Sequence, residues 1–188
     1  MQYNYYEVIN MKLLLASMAV LAVTVYGLDA NVCHPCPQFW LPFNGSCYRY
    51  FGERVTWGEA RDQCRDHYSL NGRADLVSIH TEKENAFAYN LFRSPAGITP
   101  DHVTAGPPYY GAWIGAYKTT PGSTGPFIWS DGSGLNFEQW FEGQPSNWEG
   151  NEDCVHLWRK NAEDDILQSW NDLFCERDLP FICKVAPN

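Results

Sequence analysis

A chain of 188 residues is long enough to bury one core and too short for two large domains. Its net charge of -9 and pI near 4.9 exclude the basic surface that sequence-independent binding to nucleic acid or to an anionic membrane requires. Seven cysteines and eight tryptophans point to an extracellular, cross-linked fold, because reducing compartments keep such thiols open.

Lys12 stands ahead of the apolar run Leu13 to Val25, and small Gly27 follows it, so residues 1–27 read as a cleaved signal peptide. The run is too short to span a bilayer comfortably. Polar Asn4, Glu7 and Asn10 precede it, which makes Met11 an alternative start. A short segment over 28–35 leads into the domain at 36–186. No later stretch is apolar enough to cross a membrane, so a secreted protein without membrane insertion is expected.

Cys33-His34-Pro35-Cys36 lacks the second close Cys/His pair that a zinc site needs. Between Cys36 and Cys47, Asn44-Gly45 offers a turn between two aromatic-rich arms, predicting a short cross-linked hairpin. Asn44-Gly45-Ser46 is also a glycan acceptor triplet. Thr56-Trp57-Gly58-Glu59 is a capping-box pattern, and the helix it opens places Trp57, Ala60 and Cys64 on one face. Leu76-Val77-Ser78-Ile79 reads as a strand, and Thr81-Glu82-Lys83-Glu84 opens a second helix carrying Ala86, Phe87, Asn90 and Leu91. His67 and His80, at the helix ends, read as capping or solvated side chains. Residues 94–110 have no periodicity and read as a surface insertion.

Trp113-Ile114-Gly115-Ala116-Tyr117 follows as a strand. From Lys118 to Asn151 glycines interleave with Trp129, Trp140 and Trp148; a loop this long and this aromatic reads as packed and functional. Cys154-Val155-His156-Leu157-Trp158 alternates as a strand, Arg159 to Asp165 as a solvated loop, and Trp170-Asn171-Asp172 and Phe181-Ile182-Cys183-Lys184 as closing strands.

Gln144-Pro145-Ser146, Glu152 and Asn171-Asp172 supply amide, hydroxyl and carboxylate oxygens, the donors of a hard cation such as Ca2+, which takes about six to eight of them. The same groups set amide N–H donors on Gln144 and Asn171 beside carboxylate acceptors on Glu152 and Asp172, the pairing that holds two neighbouring sugar hydroxyls. No serine or cysteine sits in a nucleophile setting, and the carboxylates are better explained as metal ligands than as an acid/base pair, so an enzyme is not expected.

With these motifs the chain, from about Cys36 to Lys184, resembles the C-type lectin-like domain family in its long form. The resemblance implies an α+β fold: two helices flanking small antiparallel sheets, a long calcium-binding loop, and disulfides Cys36–Cys47, Cys64–Cys183 and Cys154–Cys175. Cys33 is then left over; an odd thiol in a secreted protein points to an interchain bond, hence a disulfide-linked homodimer, or alternatively to a reactive free cysteine. Gln144, Ser146, Glu152, Asn171 and Asp172 match the family's principal calcium and sugar site, with a cis peptide before Pro145. The family's third position is more often Asp or Asn; Ser146 leaves two carboxylates in the shell, which predicts calcium binding near 10⁻⁴ to 10⁻³ M, an order-of-magnitude range. Gln144 implies a galactose-type preference, with Trp148 lying against the sugar's apolar face or, alternatively, anchoring the loop as Trp129 and Trp140 would.

The family's auxiliary calcium site is expected to be lost, since Lys118 and Asn147 stand where acidic ligands are common. Recognition of microbial surface glycans is the biological use the resemblance implies. The alternative among such relatives is a calcium-independent matrix, mineral-associated, ice-binding or protein-binding module.

Overall fold

The computed structural model describes residues 35–93, 110–159 and 168–188. Residues 1–27, read above as a signal peptide, Cys33, the 94–109 stretch and residues 160–167 lie outside the described residues.

Strand β1 (Leu41–Phe43) turns into β2 (Ser46–Val55) through Asn44 and Gly45. Both turn residues take positive φ, 44° and 79°, as a two-residue hairpin turn demands and as Asn and Gly best tolerate. Thr56 then caps α1 (Trp57–Arg65) with both halves of the capping box formed. The helix buries Trp57, Ala60 and Cys64 as its spacing predicts.

A small hairpin, β3 (Tyr68–Ser69) and β4 (Gly72–Arg73), precedes β5 (Asp75–Leu76). The predicted strand at 76–79 thus ends after Leu76. Beyond it the Val77 N–H donates to Ile182 O while Val77 O receives Gly115 N–H, so the segment bridges two strands instead of extending one ladder.

Helix α2 (Glu82–Arg93) starts at Thr81, whose Oγ1 accepts the Glu84 N–H at 3.1 Å. Its buried face is Glu84, Asn85, Ala88, Tyr89 and Phe92, with Asn90 exposed and Phe87 and Leu91 half-buried. Two of the five are polar, a burial to which apolar periodicity is blind. Glu84 Oε1 accepts from Tyr48 Oη and Lys184 Nζ, both at 2.6 Å, and Oε2 accepts the His80 N–H. Asn85 Oδ1 accepts the Trp170 indole N–H at 2.7 Å.

The remaining strands are β6 (Tyr110–Tyr117), β7 (Ile128–Trp129), β8 (Cys154–Arg159), β9 (Trp170–Leu173) and β10 (Leu179–Val185). Among the described residues one sheet runs β1-β2-β10-β6-β8-β9, with β5 added to β10 and β7 to β6. Its pairings are antiparallel except β10 with β6, which meet in parallel at Phe181 and Trp113. Pro180, which cannot donate to a ladder, sits where the β10–β2 register shifts between Leu179 and Phe181.

Strand alternation divides the core between two sides of the sheet. Trp113, Phe181 and Cys183 join α1 and the three disulfides, Cys36–Cys47, Cys64–Cys183 and Cys154–Cys175. Ile114, Leu157 and Ile182 join α2 with Trp129 and Trp170. Two buried indoles find backbone carbonyls: Trp57 Nε1 donates to Ile114 O and Trp113 Nε1 to Val55 O. Gly115 must lack a side chain, since a Cβ there would meet Leu76 O and Ser130 Oγ at 2.9 Å. Finally, the Asn188 N–H donates to Pro35 O at 2.6 Å, and Asn71 Nδ2 to Pro187 O, which holds the first and last described residues together.

Candidate functional site

The loop between β7 and β8 is shaped by its turn residues. Gln144–Pro145 is cis, and Asn147, Glu149 and Gly150 take positive φ around a single 3-10 turn at Trp148–Gly150. Left-handed backbone is easy for Gly and Asn and costly for Glu149, a cost that tertiary contacts must offset. Those contacts are to the two acids foreseen as ligands. Asp172, fully buried, accepts the Ser146 N–H at Oδ1 and the Asn147 N–H at Oδ2, at 2.9 and 2.8 Å. Glu152 Oε2 accepts the Ser146 hydroxyl at 2.9 Å and the Trp148 N–H at 2.7 Å. Gln144 Oε1 accepts the Ser146 N–H at 2.9 Å.

Successive side chains of this segment line two clefts. Gln144, Ser146 and Trp148 border one of about 400 Å³, with Glu149, Glu152 and Asn171. Its far wall is Trp158, Phe174 and Arg177, the guanidinium lying 5.7 Å over the Phe174 ring. Pro145 and Asn147 border a second cleft of about 430 Å³, with Lys118, Phe127 and Trp140. The structure therefore brings Gln144, Ser146, Trp148, Glu152 and Asn171 to one opening and sets Asp172 beneath it. Trp148 is 64 % exposed, whereas Trp129 is buried.

Three features here escaped the sequence reading. His156, fully buried, is the register partner of Asn171, and its Nε2 lies 3.0 Å from Asn171 Nδ2. Burial pushes the imidazole pKa down to about 3, so it is neutral and accepts that amide hydrogen. Asn171 Nδ2 also donates to its neighbour's carbonyl, Asp172 O, which leaves its Oδ1 as the end available to the cleft. Trp158 lies two residues on from His156, and the alternation of Cys154-Val155-His156-Leu157-Trp158 was the signal that could have placed it on that face. Lys118 was read only as a lost ligand; its buried ammonium contacts Asn147 and Glu152.

The donors suit a hard cation. Burial raises the Glu152 pKa, and the Asp172 carboxylate adds to the rise against the opposing hydrogen bonds from Trp148 and Ser146. A cation beside these acids would relieve that penalty. Among the described residues no three His, Cys, Asp or Glu side chains form a metal cluster, so a shell here must draw on Gln144 and Asn171 amide oxygens as well. The Ser146 hydroxyl, foreseen as a ligand, is committed as a donor to Glu152.

The family description Lectin C-type domain matches residues 53–185. The chain belongs to the C-type lectin domain family. An alpha-N-acetylgalactosamine-specific lectin of Patiria pectinifera is 36% identical over 166 residues, covering 84% of this chain and 89% of the relative. A mannose-binding isoform of C-type lectin from Notechis scutatus scutatus is 34% identical over 173 residues, covering 92% and 97%. The solved structure of the C-type lectin CEL-I from Cucumaria echinata superposes with a TM-score of 0.65 at 33% identity, over 79% of this chain and 96% of that one. Family members of this kind bind carbohydrate and are not enzymes, and this chain is a carbohydrate-binding domain of that type.

Proposed function

We propose that the protein is a secreted, calcium-dependent lectin that prefers galactose-type sugars. The observation that carries this is the convergence of Gln144, Glu152 and Asn171 on one cleft whose edge is the exposed indole of Trp148. Calcium would be held by Gln144, Glu152, Asn171 and Asp172 with the Ser146 hydroxyl, and when bound it would supply a charge for two sugar hydroxyls to coordinate. The chain's own part is to orient those hydroxyls: the Gln144 amide donates, Glu152 and the Asn171 Oδ1 accept, and Trp148 covers the apolar face that an axial 4-hydroxyl leaves open. The two relatives named above differ in the sugar their names state; Gln144 favours the galactose side for this chain.

Three disulfides support an extracellular setting. In that setting Asn44, exposed at its turn, is a glycan acceptor and Cys33 forms the interchain bond of a homodimer. Recognition of microbial glycans is the use this reading favours.

The test is retention on immobilised galactose and mannose in millimolar calcium, followed by a chelator. Chelator-dependent release from galactose and weak retention on mannose is the expected outcome. Passage of folded protein through both columns would overturn the lectin reading in favour of a calcium-independent module.

A further inference from the structure

Lys118 follows β6 directly, and its side chain is 4% exposed. Its backbone N–H donates to Asp153 O at 2.8 Å, which seats the residue at the start of β8. From there the ammonium donates to Asn147 Oδ1 at 3.0 Å and Glu152 O at 2.9 Å. Asp153 Oδ1 lies 3.6 Å away, an ion pair rather than a hydrogen bond, and the Phe127 ring centroid 5.0 Å away. Asp153 Oδ2 in turn accepts the Gly122 N–H. One cation therefore touches both arms of the loop, Asn147 on the outgoing arm and Glu152 and Asp153 on the returning one.

A buried lysine is desolvated at considerable cost and persists only where its donors are met by acceptors. Here the acceptors are placed so that meeting them closes the loop. Asn147 lies between Ser146 and Trp148, whose side chains enter the galactose cleft, and Glu152 sets the acid of that cleft. Asn147 also keeps a left-handed φ of 47°, a conformation that its contact with the ammonium helps to hold.

We propose that Lys118 is a tethered cation that orders the 144–153 loop without any divalent ion, and is thereby a positioning residue for the sugar cleft. For its functional consequence the inference rests on the lectin reading; the order of the loop rests on the contacts alone. Calcium then meets a shell already assembled, and only one ion is needed.

The test is amide exchange followed by NMR on the secreted protein in chelator, with no sugar. The reporters are the N–H groups of Ser146, Asn147 and Trp148, which donate to Asp172 and Glu152. They should be protected in the wild type and exchange at least about tenfold faster in Lys118→Met, given the usual worth of hydrogen bonds to a charged group. The amides of Ile182 and Cys183 in β10 should be unchanged, which separates loop opening from unfolding. Asn147→Ala, which removes a single acceptor, should give a smaller acceleration and decides the matter if Lys118→Met does not fold. Unprotected loop amides in the wild type, or unaltered rates in both variants, would overturn the proposal. In a second arm, the calcium needed for half-maximal galactose retention should rise about tenfold in Lys118→Met. Absence of galactose retention in the wild type, with the loop amides protected, would refute the lectin reading and leave Lys118 in its ordering role.

Discussion

His156 Nε2 accepts a hydrogen from Asn171 Nδ2 at 3.0 Å, and through that contact a buried, neutral imidazole decides which end of the Asn171 amide faces the cleft. His156→Leu removes the acceptor of one amide hydrogen and leaves the bond to Asp172 O as the single contact that orients the Asn171 amide. We expect a loss of about 1–3 kcal/mol in stability from the unsatisfied amide, and weaker calcium-dependent galactose retention. Denaturant titration and calcium titration of the same variant check the two effects.

Trp148→Ala should weaken galactose binding about fivefold to tenfold, the worth of one aromatic contact. Its indole is 64 % exposed, so the melting temperature should hold. Calcium affinity should hold as well. Equal losses of sugar and calcium affinity would mean that the indole supports the loop and not the sugar.

Ser146→Asp sets two effects in opposition. The new carboxylate stands where a hydroxyl now donates to Glu152, so the calcium-free protein loses that bond and gains a like-charge neighbour. A third carboxylate in the shell should tighten calcium binding by about tenfold or more. Melting in chelator should therefore fall, and melting in millimolar calcium should rise relative to wild type. A variant indifferent to calcium would contradict the assigned shell.

Acid should destabilise the fold partly through Glu84. Burial alone would raise its pKa, but hydrogen bonds from Lys184, Tyr48 and the His80 N–H outweigh burial and hold it below the ordinary glutamate value of 4.5. The folded state thus binds this proton less readily than the unfolded chain does. The stabilisation is fully present above pH 4.5 and is lost as pH falls through the lower folded pKa. Urea midpoints measured from about pH 7 down to about pH 3 should drop, and Glu84→Gln should flatten the drop over that lowest range. An equal slope in the variant would remove Glu84 from the account.

Cys64–Cys183 closes a loop across 119 residues and joins α1 to β10. Replacing both cysteines with alanine should cost about 2–5 kcal/mol, chiefly by freeing the unfolded chain. Thermal unfolding of the purified double variant measures this.

Features whose physics is local were legible in advance. The Asn44-Gly45 turn and the Thr56/Glu59 box each depend on residues within a few positions of one another. The Trp113–Tyr117 strand was likewise visible, and only its start at Tyr110 was missed. Oxygen donors could be counted as well, and Gln144, Glu152 and Asn171 do share an opening. What could not be read was how each donor is committed. Ser146 had to be seen next to Glu152 to be recognised as a donor, and Lys118 next to Glu152, 34 positions away, to be recognised as more than a vanished ligand. The buried face of helix α2 was not legible for a related reason, because Glu84 and Asn85 are buried by partners on distant strands.

The hydrogen bond from Asn188 to Pro35 sews the two borders of the described domain into one seam. A label or a resin joined at Asn188 would hang from that seam, on a patch beside the β3–β4 hairpin. For an immobilised array, that patch is the handle to grip.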